Sequence, residues 1–537
     1  MSKYILVTGG VCSSLGKGVA SSSIGSLLEC CNLSVAMMKC DPYINVDAGN
    51  MSPYQHGEVY VTSDGTETDL DLGNYSRFTH VTLTGANCIT TGKIYEEVIN
   101  NERAGRYNGR TVQVIPHITD EIQRQILRVG AQTQADVVIV EIGGTVGDIE
   151  SIPFLEATRQ LMRKTGKGNA ISLHLTLVPI ITGGELKTKP TQHSVKCMQE
   201  IGIQPDILLC RTENILDEGI RNKIAKFCNV EQNAVFTSPD ISKTIYELPV
   251  IFNEQGIDAL ILKKLGFTKH KADITPWKKF LDKINNPKKT IKIGMLGKKN
   301  YENDCYKSVR ESLLHAAVSA HGVKLDLRKI DAEDIESAHN PAPFFEGFDG
   351  IVVPGNYGQR GFLGLLAGVQ YAREHNIPFL GIDFGMQIMA IETARNIIKW
   401  EEADSTEFIQ NTDYPIVSLP EEQSSFAAAG LMKVGNSEIT ITKGSKLKDI
   451  YKKSTITERH RNKYTCDKKY KDNLEKAGLL TSAISVLDMQ IEALEWKNHP
   501  WGIGVQYHPE FISRPTQPHP LFSAFVGATI LYKEKKE

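Results

Sequence analysis

A lysine behind a run of glycines is suited to holding phosphate. Thr8-Gly9-Gly10-Val11-Cys12-Ser13-Ser14-Leu15-Gly16-Lys17-Gly18 follows an apolar run and opens a helical stretch. Glycines let backbone N–H groups close on phosphate oxygens, and the helix N-terminus adds a positive dipole end. Lys17 offsets the β/γ-phosphate charge. The strict P-loop has Ser or Thr after its lysine, whereas here Gly18 follows. Such a loop works with Mg²⁺, which takes hard oxygen ligands. Asp69 and Asp71 offer them within Thr66-Glu67-Thr68-Asp69-Leu70-Asp71-Leu72-Gly73, and Glu141 does so at the end of Val137-Val138-Ile139-Val140. The carboxyl ends of parallel strands are where ligands collect. Three further polar runs are too regular for chance loops: Asp41 to Asp47, Gly143 to Ser151, and Lys187 to His193. The last sets two cations and an amide close together, which suits a second polyphosphate.

These groups need elements to hold them. Tyr4 to Thr8 reads as a buried strand, and Lys17 to Cys31 as the helix after it. Ser34 to Lys39, Val112 to Ile115, Asp136 to Val140 and Ile207 to Cys210 read as further strands. Continuous apolar runs between helices predict a parallel sheet covered on both faces. Between Gly266 and Thr290 lysines crowd a stretch that also holds Pro276 and Pro287, which reads as a linker, helical near Trp277 to Ile284. A second α/β domain begins at Ile291, with strands at Ile291 to Leu296, Val323 to Leu327, Ile351 to Val353 and Ile377 to Leu380, and a helix near Tyr306 to His321. The strand at Ile377 ends in the tight turn Gly381-Ile382-Asp383-Phe384-Gly385. The predicted domains are 1–266, a linker at 267–289, and 290–537.

Composition agrees with a globular chain of several domains. Of 537 residues 41% are apolar and 23% charged, which excludes disorder and fibrous repeats. The 61 Lys+Arg against 63 Asp+Glu give a net charge of −2, which disfavours a nucleic-acid binder. No apolar run reaches the ~18 residues that cross a bilayer, and no leader pattern precedes the first strand. The ten cysteines show no CxxC spacing, so a reduced, cytoplasmic chain is expected, with neither disulfides nor a zinc ribbon.

The runs SSLGKG, DPYIN, SPYQHGEV, TDLDLGNY, VIPHITDEI, GGTVGDIES and KTKPTQHSV, in this order, resemble the CTP synthase family, which aminates UTP at the expense of ATP. The resemblance implies an α/β architecture: an N-terminal P-loop-type parallel-sheet synthetase domain, then a class I glutamine amidotransferase-like α/β domain. It implies that Leu15, Gly16, Lys17, Gly18, Val19 and Ala20 hold ATP, with Lys17 and Lys39 on its phosphates and Asp240 and Ile241 beside the adenine. Asp71 and Glu141 match Mg²⁺ ligands. Ser13 matches a position touching the pyrimidine nucleotide, and Asp148, Ile149 and Glu150 match the contact to CTP as feedback inhibitor. Lys187, Thr188, Lys189, Pro190, Thr191, Gln192 and Lys223 match a triphosphate clamp shared by UTP and CTP. A homotetramer, filaments, and GTP as allosteric effector are further implications, with no nucleic acid or membrane as partner.

The same resemblance implies a Cys-His-Glu glutaminase triad. His508 and Glu510 match in Gly504-Val505-Gln506-Tyr507-His508-Pro509-Glu510, but the elbow carries Asp383 where the family has its cysteine nucleophile. A carboxylate is a weak nucleophile toward an amide, gives His508 no proton to take, and opposes a forming oxyanion. The family's PGGFG loop reads Pro354-Gly355-Asn356-Tyr357-Gly358, its RHRHRY reads Arg459-His460-Arg461-Asn462-Lys463-Tyr464, and its TMRLG reads Leu431-Met432-Lys433-Val434-Gly435. Glutamine-binding positions therefore fall on Asn356, Phe384, Gln387, Glu407 and Lys463, of which Asn356 and Lys463 depart. Cys12 reads as a packing residue. The expectation is CTP formation from free ammonia by a chain whose glutaminase is degenerate. The alternatives are a standard glutamine-dependent CTP synthase and a non-catalytic paralogue that regulates CTP synthase assemblies.

Overall fold

Strands without polar alternation must be covered on both faces, and Val137–Ile142 is buried at every residue, its Glu141 included. The computed structural model describes the chain except for residues 1, 50, 53–55, 182, 269, 299–302, 356–357 and 421–431. It divides into Met1–Asn50 with Glu67–Leu281, and Met51–Thr66 with Asp282–Glu537. Residues 51–66, which the sequence sets inside the first domain, thus cluster with the second. There Tyr60 donates its hydroxyl to the Phe511 carbonyl (3.1 Å), and Arg459 Nη1 donates to the Val61 carbonyl (2.8 Å).

The first unit holds seven parallel strands: β1 Lys3–Gly9, β2 Val35–Asp41, β3 Cys88–Thr90, β4 Val137–Ile142, β5 Ala170–Leu177, β6 Ile207–Thr212 and β7 Val235–Pro239. Their order is β7-β6-β5-β1-β4-β2-β3. Leu6, Val138, Val140, Ile122, Ile126, Phe154 and Leu161 belong to one of the cores packed on it. Each such side chain contributes about 1.5–3 kcal/mol by leaving water. Chain order reverses beside β1, and at such switch points the carboxyl ends of neighbouring strands leave a crevice. The loop after β1 turns there with positive φ at Val11 (77°), Ser14 (55°) and Gly16 (96°), then enters α1, Lys17–Cys30. Helix α2, Leu70–Phe78, starts on an Asp69 cap whose carboxylate accepts from the Asp71 amide at 2.8 Å.

The expected strand at Val112 to Ile115 is absent. The backbone is irregular there and becomes a helical turn at Val114–Ile118 that leads into the helix Thr119–Thr133. Val114 and Ile115 are exposed, so this apolar run packs on nothing that could act as a pairing strand. The lysine-rich stretch read as a linker contains the helix Thr275–Asn285, whose Trp277 and Phe280 are buried against Phe78 and Tyr246.

The second unit carries a nine-stranded sheet: β8 Thr290–Gly297, β9 Lys324–Asp331, β10 Gly350–Val353, β11 Phe379–Ile382, β12 Lys433–Ile441, β13 Thr455–Asn462, β14 Leu479–Ser485, β15 Ile491–Trp496 and β16 Gly502–Val505. The order is β9-β8-β10-β11-β16-β15-β14-β12-β13, parallel as far as β16 and antiparallel beyond. The antiparallel half was not foreseen from the sequence. Two apolar cores pack on this sheet, one with Ile351, Phe379 and Met389, the other with Leu380, Ile503 and Phe525. Among the described residues no helix is long and apolar enough to cross a membrane.

Candidate functional site

Strand register brings the first group together. Lys39 on β2 stands opposite Glu141 on β4, and its ammonium bonds Glu141 Oε1 at 3.2 Å. The same ammonium bonds Asp71 Oδ2 and lies 3.6 Å from Asp41 Oδ1 and 3.8 Å from Asp69 Oδ2. Asp71 and Tyr75, four apart on α2, share a face, and the Tyr75 hydroxyl donates to Glu141 Oε2. Burial alone would strip Lys39 of its proton, but these four carboxylates hold it well above its ordinary range. Burial pushes Glu141 up to about 7, against the pull of Lys39. Asp71 resists burial through Lys39 and stays below the usual range.

Lys17 is buried at the start of α1, and its Nζ donates to the Gly144 carbonyl at 2.9 Å. Burial lowers its pKa. Leu15 and Ala20 are buried, while Gly16 and Val19 are half-buried. A Cβ on Gly18 would lie 2.0 Å from Asp71 Oδ1. The Asp71 carboxylate therefore stands where the strict P-loop's Ser or Thr side chain would project, which explains the glycine. Behind the loop, Thr8 Oγ1, His174 and Ser194 Oγ form a bonded row at 2.9 and 2.8 Å. Burial, then Lys17, takes His174 down to about 3, so it is neutral.

The donor set suits Mg²⁺. Asp71 and Glu141 converge on one cation, and their oxygens are the hard ligands that a divalent ion takes. Among the described residues no three His, Cys, Asp or Glu side chains gather as a metal cage. Mg²⁺ characteristically takes one or two carboxylates together with substrate phosphates.

Arg211, at the end of β6, ties two expected positions to the loop. Its Nε donates to Asp240 Oδ1 and its Nη1 to the Leu15 carbonyl, both at 2.9 Å. Ile241 is half-buried beside Asp240. Lys187 pairs with Glu185 at 2.7 Å, and Lys187 and Lys223 together lower the Glu185 carboxyl. Lys189 lies over the exposed Phe227 ring at 6.0 Å. Gln192 Nε2 donates to Thr188 Oγ1 at 3.1 Å. Thr191 Oγ1 donates to the Leu177 carbonyl at 3.1 Å, and Pro190 lies in the first turn of the helix Lys189–Ile201. Lys187, Lys189 and Lys223 are thus neighbours around the start of one helix. Ser13 is exposed on the loop, and Asp148, Ile149 and Glu150 are exposed on the turn after β4. Cys12 is exposed too, which corrects its reading as a packing residue.

The second group sits where β11 meets the helix α3, Phe384–Thr393. Asp383 has φ 51° and ψ −106°, the strained turn of a nucleophile elbow. A Cβ on Gly381 would lie 2.6 Å from the Gly385 carbonyl carbon, and one on Gly385 would lie 2.3 Å from the Val353 carbonyl oxygen, so the turn requires both glycines. The Asp383 side chain accepts from Gln506 Nε2 at 2.5 Å. Burial pushes its carboxyl up to about 6, with His508 opposing. His508 Nδ1 bonds Glu510 Oε1 at 2.7 Å, while Nε2 is buried without a partner. Burial alone would lower His508, but Glu510 and Asp383 raise it.

Of the expected glutamine positions, Gln387 Nε2 donates to the Tyr464 carbonyl at 3.0 Å, and Glu407 Oε1 accepts from the Gly358 amide at 2.8 Å. Phe384 is buried, Lys463 is exposed, and Asn356 lies outside the described residues. Lys298, which the sequence did not single out, donates to the Gly358 carbonyl at 2.8 Å. Burial, then Arg360, lowers its ammonium to about 8.

Residues 3–267 match the family model "CTP synthase N-terminus", and residues 303–528 match "Glutamine amidotransferase class-I". The chain is 48% identical to a CTP synthase of Synechococcus over 99% of its length and 97% of that protein's. It is also 48% identical to one from Syntrophus aciditrophicus, covering 99% of both chains. The chain belongs to the CTP synthase family. A solved glutaminase domain of the Trypanosoma brucei CTPS, with bound acivicin, is 34% identical, with a TM-score of 0.42 across 45% of this chain and 94% of that one.

For a member of the CTP synthase family, sequence reasoning left out several groups now in place: Arg211, Tyr75, Asp41 as a partner of Lys39, Lys298 and Gln506. Two of them carried a signal. Arg211 ends a parallel strand, where ligands gather, and Gln506 lies two residues before His508. Asp41 lies two residues from Lys39 on one strand, while Tyr75 and Lys298 depend on contacts between distant segments.

Proposed function

We propose that this chain aminates UTP to CTP using ATP and free ammonia, and that its second unit does not hydrolyse glutamine. ATP transfers its γ-phosphoryl group to O4 of UTP, which turns a poor leaving group into a good one, and ADP departs. Ammonia then attacks C4, phosphate leaves with the C4–O4 electron pair, and loss of a proton gives the 4-amino group. Lys17 faces the transferring phosphate and offsets the charge that develops on it. Asp71 and Glu141 would hold Mg²⁺, which would supply positive charge against the phosphates. Asp240, through Arg211, fixes the loop that carries Leu15. Lys187, Lys189 and Lys223 surround the place expected for the second triphosphate.

One observation carries the nitrogen part of this reading. Asp383 occupies the elbow in the family's cysteine position, and its carboxyl is held by Gln506 Nε2 at 2.5 Å next to the Phe384 amide. That amide, the first after the nucleophile, is a donor on which an elbow enzyme stabilises its oxyanion. An acidic side chain at this position supplies no thiolate and opposes a forming oxyanion. CTP formation from ATP and UTP, supplied with ammonium salt or with glutamine, tests the proposal. Product is expected from ammonium only, with GTP changing neither result. Product from glutamine, or ammonia release from glutamine alone, would overturn it.

A further inference from the structure

Within the first unit, the phosphate loop and the helix Lys189–Ile201 meet through a buried row to which the chemistry above gives no task. His174, on β5, bonds Thr8 Oγ1 through Nδ1 at 2.9 Å and Ser194 Oγ through Nε2 at 2.8 Å. All three side chains are buried. Thr8 Oγ1 has acceptors of its own in the Leu173 carbonyl and Met198 Sδ, each at 3.5 Å. Nδ1 therefore carries the ring proton, and Nε2 accepts from the Ser194 hydroxyl.

Each end of the row grips a different part of the site. Thr191, Ser194 and Met198 share one face of the helix, and Thr191 Oγ1 donates to the Leu177 carbonyl on β5 at 3.1 Å. The opposite end of that helix face is the loop. Gly10 donates its amide to the Leu175 carbonyl at 3.0 Å, and a Cβ on Gly10 would fall 1.6 Å from Ser194 Oγ and 3.1 Å from His174 Cε1. A Cβ on Gly9 would lie 2.7 Å from Lys17 Cδ. Lys17 thus rests on Gly9, and the next residue rests on Ser194 with no side chain between, so a shift of the helix shifts the seat of Lys17.

Resting on the reading of Lys187, Lys189, Gln192 and Lys223 as the clamp for UTP, we propose that His174 and Ser194 are positioning residues that fix the distance between the ATP loop and that clamp. Phosphoryl transfer needs the reacting atoms aligned and roughly 3–3.5 Å apart, and a misplacement of about 1 Å can cost about a hundredfold in rate. A row of neutral groups sets that spacing without placing a second cation beside Lys17. Burial and Lys17 keep the imidazole uncharged at any pH where the chain is folded and active.

Ser194→Ala removes one hydroxyl and keeps the bulk of the side chain. It should lower kcat for ammonium-supported CTP formation by about tenfold to a hundredfold, with KM for ATP and for UTP each within about twofold of wild type. His174→Gln, whose amide still reaches Ser194, should keep more of kcat than His174→Leu, and Ser194→Ala should cost nothing further in the His174→Leu background. In hydrogen exchange on the full chain, a non-hydrolysable ATP analogue with Mg²⁺ should slow the amides of residues 191–194 in wild type and not in Ser194→Ala. An unchanged kcat in Ser194→Ala, a loss confined to the melting midpoint, losses at the two positions that multiply, or equal protection in both chains would each refute the row. If wild type made no CTP from ammonium while the analogue's protection reached the helix only through Ser194, the row would stand and the proposed reaction would fall.

Discussion

Glu141→Gln separates what this cluster does for stability from what it does for chemistry. The wild-type carboxyl is fully buried and raised from 4.5 to about 7, which corresponds to about 3 kcal/mol between its two protonation states. The folded chain binds this proton more tightly than the unfolded chain does. Stability from this group is therefore present below about pH 4.5, declines as pH rises toward 7, and is absent at pH 8. A glutamine has the same shape, keeps an oxygen for the Lys39 ammonium, and can turn its amide to the Tyr75 hydroxyl. It cannot ionise. In the absence of nucleotide and Mg²⁺ the variant should therefore be more stable than wild type at pH 8, by up to about 3 kcal/mol. At roughly 2–4 °C per kcal/mol, the first unit's melting midpoint should rise by up to roughly 6–12 °C. At pH 5 the two chains should melt nearly together. The same variant should lose most CTP formation and the stabilisation that Mg²⁺ gives wild type. Scanning calorimetry at both pH values, with and without Mg²⁺, reads all of this. A variant less stable than wild type at pH 8, or one that Mg²⁺ stabilises equally, would refute the account of Glu141 as a strained carboxylate kept for a cation.

Gly18→Ser, which restores the strict P-loop residue, should abolish turnover rather than improve it, because the added Cβ meets Asp71 Oδ1 at 2.0 Å; wild-type activity in steady-state assays would show that Asp71 moves freely. Lys17→Ala should lose ammonium-supported CTP formation by orders of magnitude while circular dichroism stays unchanged, and undiminished turnover at saturating ATP would remove Lys17 from the mechanism. Asp383→Cys should regain little glutaminase activity, measured as ammonia release, because Asn356 and Lys463 still depart from the family pattern; recovery to the ammonia-supported rate would make those departures neutral.

Local sequence determined each piece of chemistry separately. Strand, glycine-rich turn and helix in succession place Lys17 at a helix start, because backbone conformation there follows from neighbouring residues. The elbow at Asp383 and the pair His508–Glu510 were legible for the same reason, since each lies within a few residues of chain. The apolar run Val112 to Ile115 misled because a strand exists only where another strand pairs with it, and none does. The antiparallel half of the second sheet and the placement of residues 51–66 were likewise invisible, as both are settled by partners far along the chain. Only the tertiary structure set Lys39 among Asp41, Asp69, Asp71 and Glu141, because that requires β2 to lie beside β4 in one register and α2 to sit over both. Only it joined Arg211 to both Asp240 and Leu15, and turned the Asp383 carboxylate onto Gln506. The reason is physical: residue type fixes what a group can do, but charge, desolvation and hydrogen bonding depend on distances of a few ångströms between segments that only the packed sheets bring together.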